Sequence, residues 1–399
     1  MSARKFVTEY VARHLDGLTV LASLSDRPTT TTTESCGSSA AAKPVICTHN
    51  GSFHCDEAMA CGLLRHVPEY REAVILRTRD PKEIDACDIV VDVGAVYDAD
   101  RNRYDHHQAS FHGTMTTPKK MYKTRLSSAG LVYRHFGRQI IRQYVEAALQ
   151  PLSQVRETVL SMARWSESRT SLSDAELDAL EDALYANFVE EVDGIDNGVE
   201  CWGLADPAVG TLVPNYKQDT NLSRRIGKLQ AFWNEPENGN VVAENANFAV
   251  AVEMAVTEFF EALTYLAFSW LPARTIVEAA FQRRHEFDES GKIMVFKDTK
   301  MCPWKDHLLE LEAETHCVGA VLYVVFSDGK GWRVQAVPKT STSFENRKPL
   351  PYRGLRDDEL SAACGIKGGV FVHVSGFIGG MKTLDGAMAL AKQALVVVD

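Results

Sequence analysis

The chain has 399 residues, of which 45% are hydrophobic and 24% are charged, and its formal net charge is −10. This length exceeds what one ordinary hydrophobic core needs and predicts two domains. The negative charge argues against a protein that coats duplex nucleic acid through an overall positive field. A local basic groove can still hold a short strand, and abundant carboxylates suit the binding of divalent cations.

Cysteine usage and apolar runs bear on the compartment. The sequence has nine cysteines, and no pair has the C-x-x-C spacing. In a chain of this size, that pattern indicates reduced thiols and an intracellular location. No apolar run approaches the roughly 18 residues of a membrane span, so we expect a soluble protein without membrane partners.

Residues 1–43 differ from the rest of the chain. An amphipathic-looking stretch, Lys5 to Leu24, precedes a Ser/Thr/Ala tract that cannot bury enough apolar surface to order itself. We therefore expect a disordered tail or a targeting leader. The basic residues suit a mitochondrial leader, whereas Glu9 and Asp16 do not. Deletion of residues 2–43 should accordingly leave stability and activity intact.

From Pro44 onward, short apolar strands alternate with helical patterns. Examples are the predicted strands at 45–47, 73–76 and 89–93, and a helix capped by Ser127 and Ser128. This alternation implies a mostly parallel sheet covered by helices, hence an α/β first domain. A long helical pattern, two β-type segments and a Gly-rich end predict a smaller, mixed α+β second domain. The predicted ranges are 1–43 for the leader, 44–205 for the first domain, 206–240 for the linker region and 241–399 for the C-terminal domain.

Histidine and aspartate are concentrated just past predicted strand or helix ends, where ligands gather in open parallel sheets. Carboxylates with a minority of imidazoles suit Mn²⁺ or Mg²⁺. Two such ions about 3.5–4 Å apart can clamp a phosphoryl group for in-line attack. The pattern therefore predicts a metal-dependent phosphoesterase. The candidate residues are His49, His54, Asp56, Asp92, Asp105, His106, His107, Asp193 and Asp196.

Each candidate also has a purely structural interpretation. A lone aspartate after a strand, such as Asp92, is usually a turn residue, and Asp193 and Asp196 lie where helix capping is ordinary. His49 can be a core histidine. Cys55 raises the alternative of zinc, but no second cysteine follows in a ligand spacing. The coincidence of four such segments in the setting that the chemistry needs favours a functional cluster.

Six motifs follow one another along the chain: THNGSFHCDEA at 48–58, LSSAGL at 126–131, EEVD at 190–193, SWLPAR at 269–274, CPWK at 302–305 and FVHVSGFIGG at 371–380. The string resembles the Asp-His-His (DHH) phosphoesterase superfamily, which includes RecJ-type nucleases, oligoribonuclease-phosphatases and family II inorganic pyrophosphatases. It resembles more closely the melanocyte-proliferating-gene exonuclease family, over nearly everything from Pro44 to the end. The resemblance implies a 3′–5′ exonuclease acting on single-stranded RNA or short oligonucleotides, in the mitochondrion or the nucleus.

The resemblance also implies roles for the metal ligands. His49 and His54 would hold a first ion, with His54 standing where much of the superfamily has an aspartate. Asp56 and His106 would hold a second ion. Asp92 would bridge the two.

Further roles follow from the same resemblance. His107 would face the substrate phosphate, and Asp105 would orient its neighbours. Asp193 is the first choice for the last metal ligand, and Asp196 is the alternative.

Substrate contacts are predicted from three features. Serines that open a helix can present N–H groups to a phosphate, although simple capping explains them equally well. A basic cluster between Arg347 and Arg356 can grip nucleic acid or form a solvated face. A Gly-rich loop near the C-terminus can offer backbone amides to phosphate or be an ordinary turn. The predicted residues are Ser127, Ser128, Arg347, Lys348, Arg353, His373, Ser375, Gly376, Gly379 and Gly380.

Two other functions remain open at this stage. A phosphatase for pyrophosphate or a short nucleotide would have the same first domain. A non-catalytic RNA- or protein-binding scaffold would have no need of the metal ligands, and their presence argues against it. The sequence does not predict an oligomeric state.

Overall fold

The computed structural model describes residues 1–27, 42–199 and 218–397, in two compact units, Met1–Ala267 and Phe268–Asp399. The predicted class is confirmed: a large, mostly parallel sheet in one unit and a smaller mixed sheet in the other. The helices of the first unit are α1 (Ala3–Leu15), α2 (Cys55–Leu64), α3 (Pro81–Asp85), α4 (Ser128–Leu149), α5 (Arg156–Ala163), α6 (Asp174–Leu184), α7 (Glu190–Asp196), α8 (Leu222–Gly227) and α9 (Val241–Tyr265). Its strands are β1 (Val20–Leu21), β2 (Val45–Thr48), β3 (Val74–Arg77), β4 (Ile89–Val91), β5 (Tyr97–Asp98), β6 (Arg103–Tyr104), β7 (Thr114–Thr116) and β8 (Met121–Arg125).

The large sheet has the strand order β1-β3-β2-β4-β6-β5, and every pair in it is parallel except β5 with β6. Strands β2, β3 and β4 are short apolar runs that are buried along their whole length, as expected for a parallel sheet covered by helices. Helix α2 is buried at every position and packs against α4 and α9. Because β2, β4 and β6 are parallel neighbours, their carboxyl ends lie at one edge of the sheet.

The N-terminal segment is structured where the sequence predicted a tail. Helix α1 buries Val7, Tyr10, Val11 and His14, which recur at helical spacing, and it packs against α9. Strand β1 then adds to the sheet beside β3. The amphipathic pattern was therefore a core-forming pattern, whose partner surface is supplied by distant residues. Residues 28–41, which hold most of the Ser/Thr/Ala tract, lie outside the described residues.

The second unit contains α10 (Leu271–Gln282), α11 (Arg284–Phe287), α12 (Lys305–Glu314), α13 (Asp357–Cys364) and α14 (Leu384–Val396). Its strands are β9 (Ile293–Lys300), β10 (Tyr323–Ser327), β11 (Trp332–Ala336), β12 (Gly369–Val372) and β13 (Ile378–Met381), in the order β12-β13-β11-β10-β9. Alternate residues of β10 enter two different apolar clusters: Tyr323 and Val325 one, Val324 and Phe326 the other. The period of two therefore gives this sheet a core on both faces.

The division between the units differs from the predicted ranges. Helix α9 packs against α1 and α2, so residues 241–267 belong to the first unit instead of the C-terminal domain. Helix α8, within the predicted linker, also contacts α2. The apolar side of α9 covers α2. A sequence pattern shows that such a side is buried, but it does not show against which unit the helix packs. Within the described residues, no helix is long and apolar enough to cross a bilayer.

The docking of α1 can be tested at Tyr10, which is 5% exposed and packs edge-on against Tyr144 and Phe260. We expect Tyr10→Ala to lower the free energy of unfolding by about 3 kcal/mol, because it leaves a cavity beneath the helix. Urea unfolding measures this loss. Thr8→Ala, at an exposed position of the same helix, is the control. If Tyr10→Ala and Thr8→Ala have equal free energies of unfolding, α1 does not contribute to the core of the first unit.

Candidate metal centre

The predicted cluster forms at the carboxyl ends of three neighbouring parallel strands. His49 follows β2, Asp92 follows β4, and Asp105–His107 follows β6. Helix α2 begins directly after His54 and contributes Asp56 in its first turn, and α7 contributes Asp196 at its end. The sheet topology thus brings together side chains that lie far apart in the sequence.

Asp92 lies at the centre of this cluster. Its backbone is left-handed (φ 57°) directly after the buried strand, and its side chain is 2% exposed. One carboxylate oxygen lies 3.3 Å from His49 Nε2, and the other lies 3.3 Å from His106 Nε2 and accepts a hydrogen bond from Ser128 Oγ at 2.9 Å. Burial would raise the pKa of Asp92, but the adjacent imidazoles of His106 and His49 outweigh this effect and hold the pKa well below its usual value.

Potential ligand atoms fall into three groups, each with its atoms within 4.8 Å of one another. Asp92 belongs to two of them, which is the position that the sequence predicted for a bridging carboxylate. His54 also belongs to two. The groups are His49, His54, Glu57 and Asp92; Asp92, His106 and His107; and His54, Asp56 and Asp196.

The ring of His49 is oriented as in metal-ligating histidines. Its Nδ1 lies 3.1 Å from the carbonyl oxygen of Asn50, which can only accept, so the bond requires the proton on Nδ1. Nε2 then faces two carboxylates, Glu57 at 3.1 Å and Asp92 at 3.3 Å. Burial would lower the pKa of His49, but these carboxylates outweigh it and raise the pKa to about 10. The position therefore strongly favours a positive charge beside Nε2.

Unsatisfied buried atoms on the other side of Asp92 point to the same conclusion. Asp56 Oδ1 and both ring nitrogens of His106 are buried and have no hydrogen-bond partner among the described residues. Yet His106 Nε2 lies 3.2 Å from Asp196 Oδ2. Burial and the charges of Asp92 and Asp196 raise the pKa of Asp56 well above its usual value. A divalent cation held by these oxygen and nitrogen atoms would satisfy them, and the donor set suits Mn²⁺ or Mg²⁺.

The N-terminus of α4 binds the protein's own carboxylates. Ser128 donates its N–H to Asp56 and its hydroxyl to Asp92, while the N–H and hydroxyl of Ser127 both donate to Asp193. Both serines are fully buried. The predicted contact of Ser127 and Ser128 with a substrate phosphate is thus replaced by contacts within the cluster. The positive end of the helix macrodipole stabilises anions here.

The structure separates Asp193 from Asp196. Asp193 is fully buried and accepts hydrogen bonds from Ser127, Gly130 N and the hydroxyl of Tyr185, and it is absent from the three ligand groups. Burial raises its pKa to about 7 against the effect of these donors. Asp196 belongs to a ligand group and lines the cavity beside the cluster. Asp196, the second choice from the sequence, is therefore the aspartate that is placed to hold an ion.

Asp105 fixes the orientation of His107. Its Oδ1 accepts hydrogen bonds from His107 Nδ1 at 2.8 Å and from His107 N at 3.0 Å, and its Oδ2 accepts one from Ala95 N at 2.6 Å. The hydrogen bond to Asp105 raises the pKa of His107. The His107 side chain is 61% exposed and lines the cavity. The arrangement matches the predicted orienting role of Asp105.

Two residues of this centre were missed in the sequence. Glu57 is fully buried, and its carboxylate faces His49 and accepts the backbone N–H of His54. Arg77, 1% exposed at the end of β3, donates to the carbonyls of His49 and Gly51 and so holds the ligand loop. Glu57 lies three residues after the N-cap His54, a capping-box spacing that can be read from the sequence. Nothing local marked Arg77.

A cavity of about 820 Å³ opens beside the cluster. This size lies within the range of small-molecule sites, about 300–1,000 Å³. Its wall carries both candidate metal ligands and cationic side chains. The lining includes His54, Asp56, His106, His107, Asp196, Arg125, Arg224 and Lys228.

The basic residues predicted to bind substrate are engaged within the second unit. Arg347 forms a buried, two-pronged ion pair with Glu312, at 2.8 and 2.6 Å, and also donates to the carbonyl of Val321. Lys348 Nζ donates to the carbonyl of Leu395. Arg353 is exposed, and its Nε lies 3.4 Å from the carbonyl of Leu350. Arg347 therefore stabilises the unit's own fold, a role that the charge pattern did not distinguish from substrate contact.

The predicted Gly-rich loop is only partly a loop. His373, Ser375 and Gly376 lie in the β12–β13 turn, where His373 Nδ1 lies 2.9 Å from Ser375 Oγ. Gly379 and Gly380 instead belong to β13, paired with both β11 and β12, and are buried. A Cβ at Gly380 would lie 2.9 Å from Arg333 Nη1 and 3.0 Å from the ring of Phe371, so both neighbours would have to move. These two glycines serve close packing and offer no free amides.

Comparison with known proteins gives the family. The family model MYG1_exonuc, described as an uncharacterised protein family (UPF0160), matches residues 45–395. The chain belongs to this family. The MYG1 exonuclease of Bos taurus is 45% identical over 359 residues, 89% of this chain and 85% of the relative. The human MYG1 exonuclease is 44% identical over 359 residues (89% and 86%), and the Dictyostelium discoideum MYG1 protein is 40% identical over 353 residues (88% and 96%).

This finding confirms the predicted family. The matched residues include every ligand candidate of the metal centre and every described strand from β2 onward. Helix α1 and strand β1 lie outside the match and are nevertheless packed into the first unit.

The two aspartates of α7 should respond differently to removal of charge. We expect Asp193→Asn to lower the free energy of unfolding by about 1–3 kcal/mol, because the new amide group offers one acceptor oxygen to four buried donors. Asp196→Asn should instead weaken Mn²⁺ binding and leave stability nearly unchanged. Thermal unfolding and isothermal titration with Mn²⁺ separate the two effects. If Asp193→Asn weakens Mn²⁺ binding and Asp196→Asn lowers the free energy of unfolding, Asp193 is the ligand.

Arg347 should contribute to stability. Arg347→Ala strands Glu312 as a buried, uncompensated charge, which costs about 3–5 kcal/mol. Urea unfolding measures the loss, with Lys367→Ala at an exposed position of the same unit as the control. Unchanged stability together with a raised KM for RNA would restore the substrate-binding role.

Proposed function

We propose that the protein is a metal-dependent exonuclease that removes nucleotides from the end of single-stranded RNA or a short oligonucleotide, in the 3′–5′ direction, with two Mn²⁺ or Mg²⁺ ions. The observation that carries the proposal is the shared position of Asp92 in two adjoining ligand groups. The relatives named exonucleases support the reaction class. The DHH-type arrangement of the site is part of the same proposal.

His49, His54 and Glu57 would hold one ion, and Asp56, His106 and Asp196 the other, with Asp92 between them. Asp92 shares one ligand group with His49 and another with His106, while Asp56 and Asp196 form a group with His54. His106 Nε2 lies 4.0 Å from Asp56 and 3.2 Å from Asp196, which joins these two groups. Two such ions supply a nucleophile at neutral pH and stabilise charge on the attacking and leaving oxygens of a phosphodiester. Helix α4 holds Asp56 and Asp92 in place through Ser128, so the carboxylates are oriented before substrate arrives.

His107 acts on the substrate side of the cluster. With Nδ1 bound to Asp105, the Nε2 of His107 is left to donate to a phosphate in the cavity that this side chain lines. The charged imidazole that Asp105 favours donates a hydrogen bond to a phosphate oxygen and stabilises the negative charge that develops there. Asp105 thus acts through His107 as a positioning residue.

A non-catalytic scaffold is a poorer explanation of the same structure. Burying Asp56, Asp92 and Glu57 together is unfavourable, because each carboxylate loses hydration and repels the others. A scaffold would gain nothing from that cost. A metal-dependent enzyme requires it. Comparing hydrolysis of a pentanucleotide RNA with that of pyrophosphate distinguishes an oligonucleotide substrate from a small phosphorylated compound.

Asp92 gives the decisive test. Asp92→Asn keeps the size of the side chain and suits the left-handed backbone, so we expect an unchanged circular dichroism spectrum. Two cations without a bridging charge repel each other, so the variant should bind fewer Mn²⁺ ions per chain. Hydrolysis of a labelled pentanucleotide RNA should fall by about 10³-fold or more. Excess EDTA should abolish the wild-type activity, and Mn²⁺ should restore it.

Asp85→Asn, at an exposed position in the same unit, is the matched control for loss of one carboxylate and should keep full activity. Normal turnover and full metal stoichiometry in Asp92→Asn would show that Asp92 is only a turn residue. If wild-type protein hydrolyses pyrophosphate and leaves the pentanucleotide intact, the activity is that of a small-molecule phosphatase.

A further inference from the structure

Helix α8 presents two cations to the cavity of the metal centre. Arg224 and Lys228 are four residues apart, so they lie on the same face, and both line the cavity together with Ser223 and Gly227. Both cations are exposed. They also share this cavity with His107 and Asp196 of the cluster. Neither cation was among the sequence-predicted substrate contacts.

The opposite side of α8 anchors the helix. Leu222 and Ile226, also four residues apart, are buried. Arg225 makes a two-pronged ion pair with Glu258 of α9. After the helix, Gln230 donates to the carbonyl of Phe53, next to the ligand His54, at 3.0 Å. The position of α8, and with it the face that carries Arg224 and Lys228, is therefore fixed by packing on the same elements that build the metal centre.

The charge arrangement is unfavourable unless an anion is present. Like charges at i and i+4 of a helix repel each other by a few tenths of a kcal/mol. Lys228 is partly compensated by Asp219, at 3.1 Å, whereas Arg224 makes no ion pair with the described residues. A phosphate group bound between the two cations would remove the repulsion. In a chain with a net charge of −10, such a local pair of cations focuses anions at this wall of the cavity.

We propose that Arg224 and Lys228 form a second phosphate subsite, which binds a backbone phosphate next to the one being hydrolysed. This inference rests on the proposed function and names the substrate class of that site. Pyrophosphate and mononucleotides have no adjacent backbone phosphate. They therefore cannot occupy the metal centre and the second phosphate subsite together, as an oligonucleotide does. The subsite would therefore give the enzyme its preference for chains over small phosphorylated compounds.

The test compares a double variant, Arg224→Gln together with Lys228→Gln, against Lys82→Gln, which removes an exposed cation of the same unit outside the cavity. Binding of a fluorescein-labelled pentanucleotide RNA is measured by anisotropy in EDTA, where no hydrolysis occurs. We expect the double variant to raise Kd by about 10-fold or more. The slope of log Kd against log salt should fall by about 1.4, because two cations no longer release counterions from a single strand. Lys82→Gln should change neither.

Hydrolysis in Mn²⁺ adds a second readout. The double variant should lower kcat/KM for the pentanucleotide about 10-fold more than for bis(p-nitrophenyl) phosphate, which has no second phosphate. Equal Kd, salt slope and substrate ratio in the double variant and Lys82→Gln would overturn the subsite. Absence of any diester hydrolysis by the wild-type protein would instead overturn the proposed function, and the binding measurement would still decide the subsite. Thermal unfolding confirms that each variant is folded.

Discussion

The concentration of buried carboxylates around Asp92 is the constraint on which the first unit depends. Asp56, Glu57 and Asp92 are almost fully buried within one small volume, where each charge raises the energy of the others. The protein offsets part of this with the imidazoles of His49 and His106 and with the N-terminus of α4. The atoms that remain unsatisfied are ones that a bound cation could satisfy.

The parallel sheet explains why the cluster can form at all. Strands β2, β4 and β6 are parallel neighbours, so residues from three separate segments meet at one edge. Helices α2 and α4 pack on each other and bring Asp56 to the serines that open α4. Arg77 then holds the loop after β2 from behind, through backbone carbonyls. The ligands are thus positioned by rigid elements and by contacts beneath them, which favours a preorganised site.

Predictions from the sequence were wrong where one pattern is compatible with two different structures. An amphipathic stretch such as residues 5–24 can be a leader or a docked helix, and only the apolar surface offered by Tyr144 and Phe260 decides between them. A basic residue such as Arg347 can bind substrate or a buried Glu312, thirty-five residues away. Glycines 379 and 380 can free backbone amides or allow close strand packing. Each choice depends on a partner that is remote in the sequence.

The sequence by itself determined the class of fold, the family and the segments of the metal centre. These follow from local patterns: apolar strands ending in Asp or His, and motifs that survive as linear strings. The tertiary structure decided that Asp196, instead of Asp193, belongs to a group of potential ligand atoms, that Glu57 belongs to another, and that Ser127 and Ser128 bind carboxylates. It also decided where Arg224 and Lys228 point. The physical reason is that side-chain direction and burial depend on packing between elements, which no linear spacing encodes.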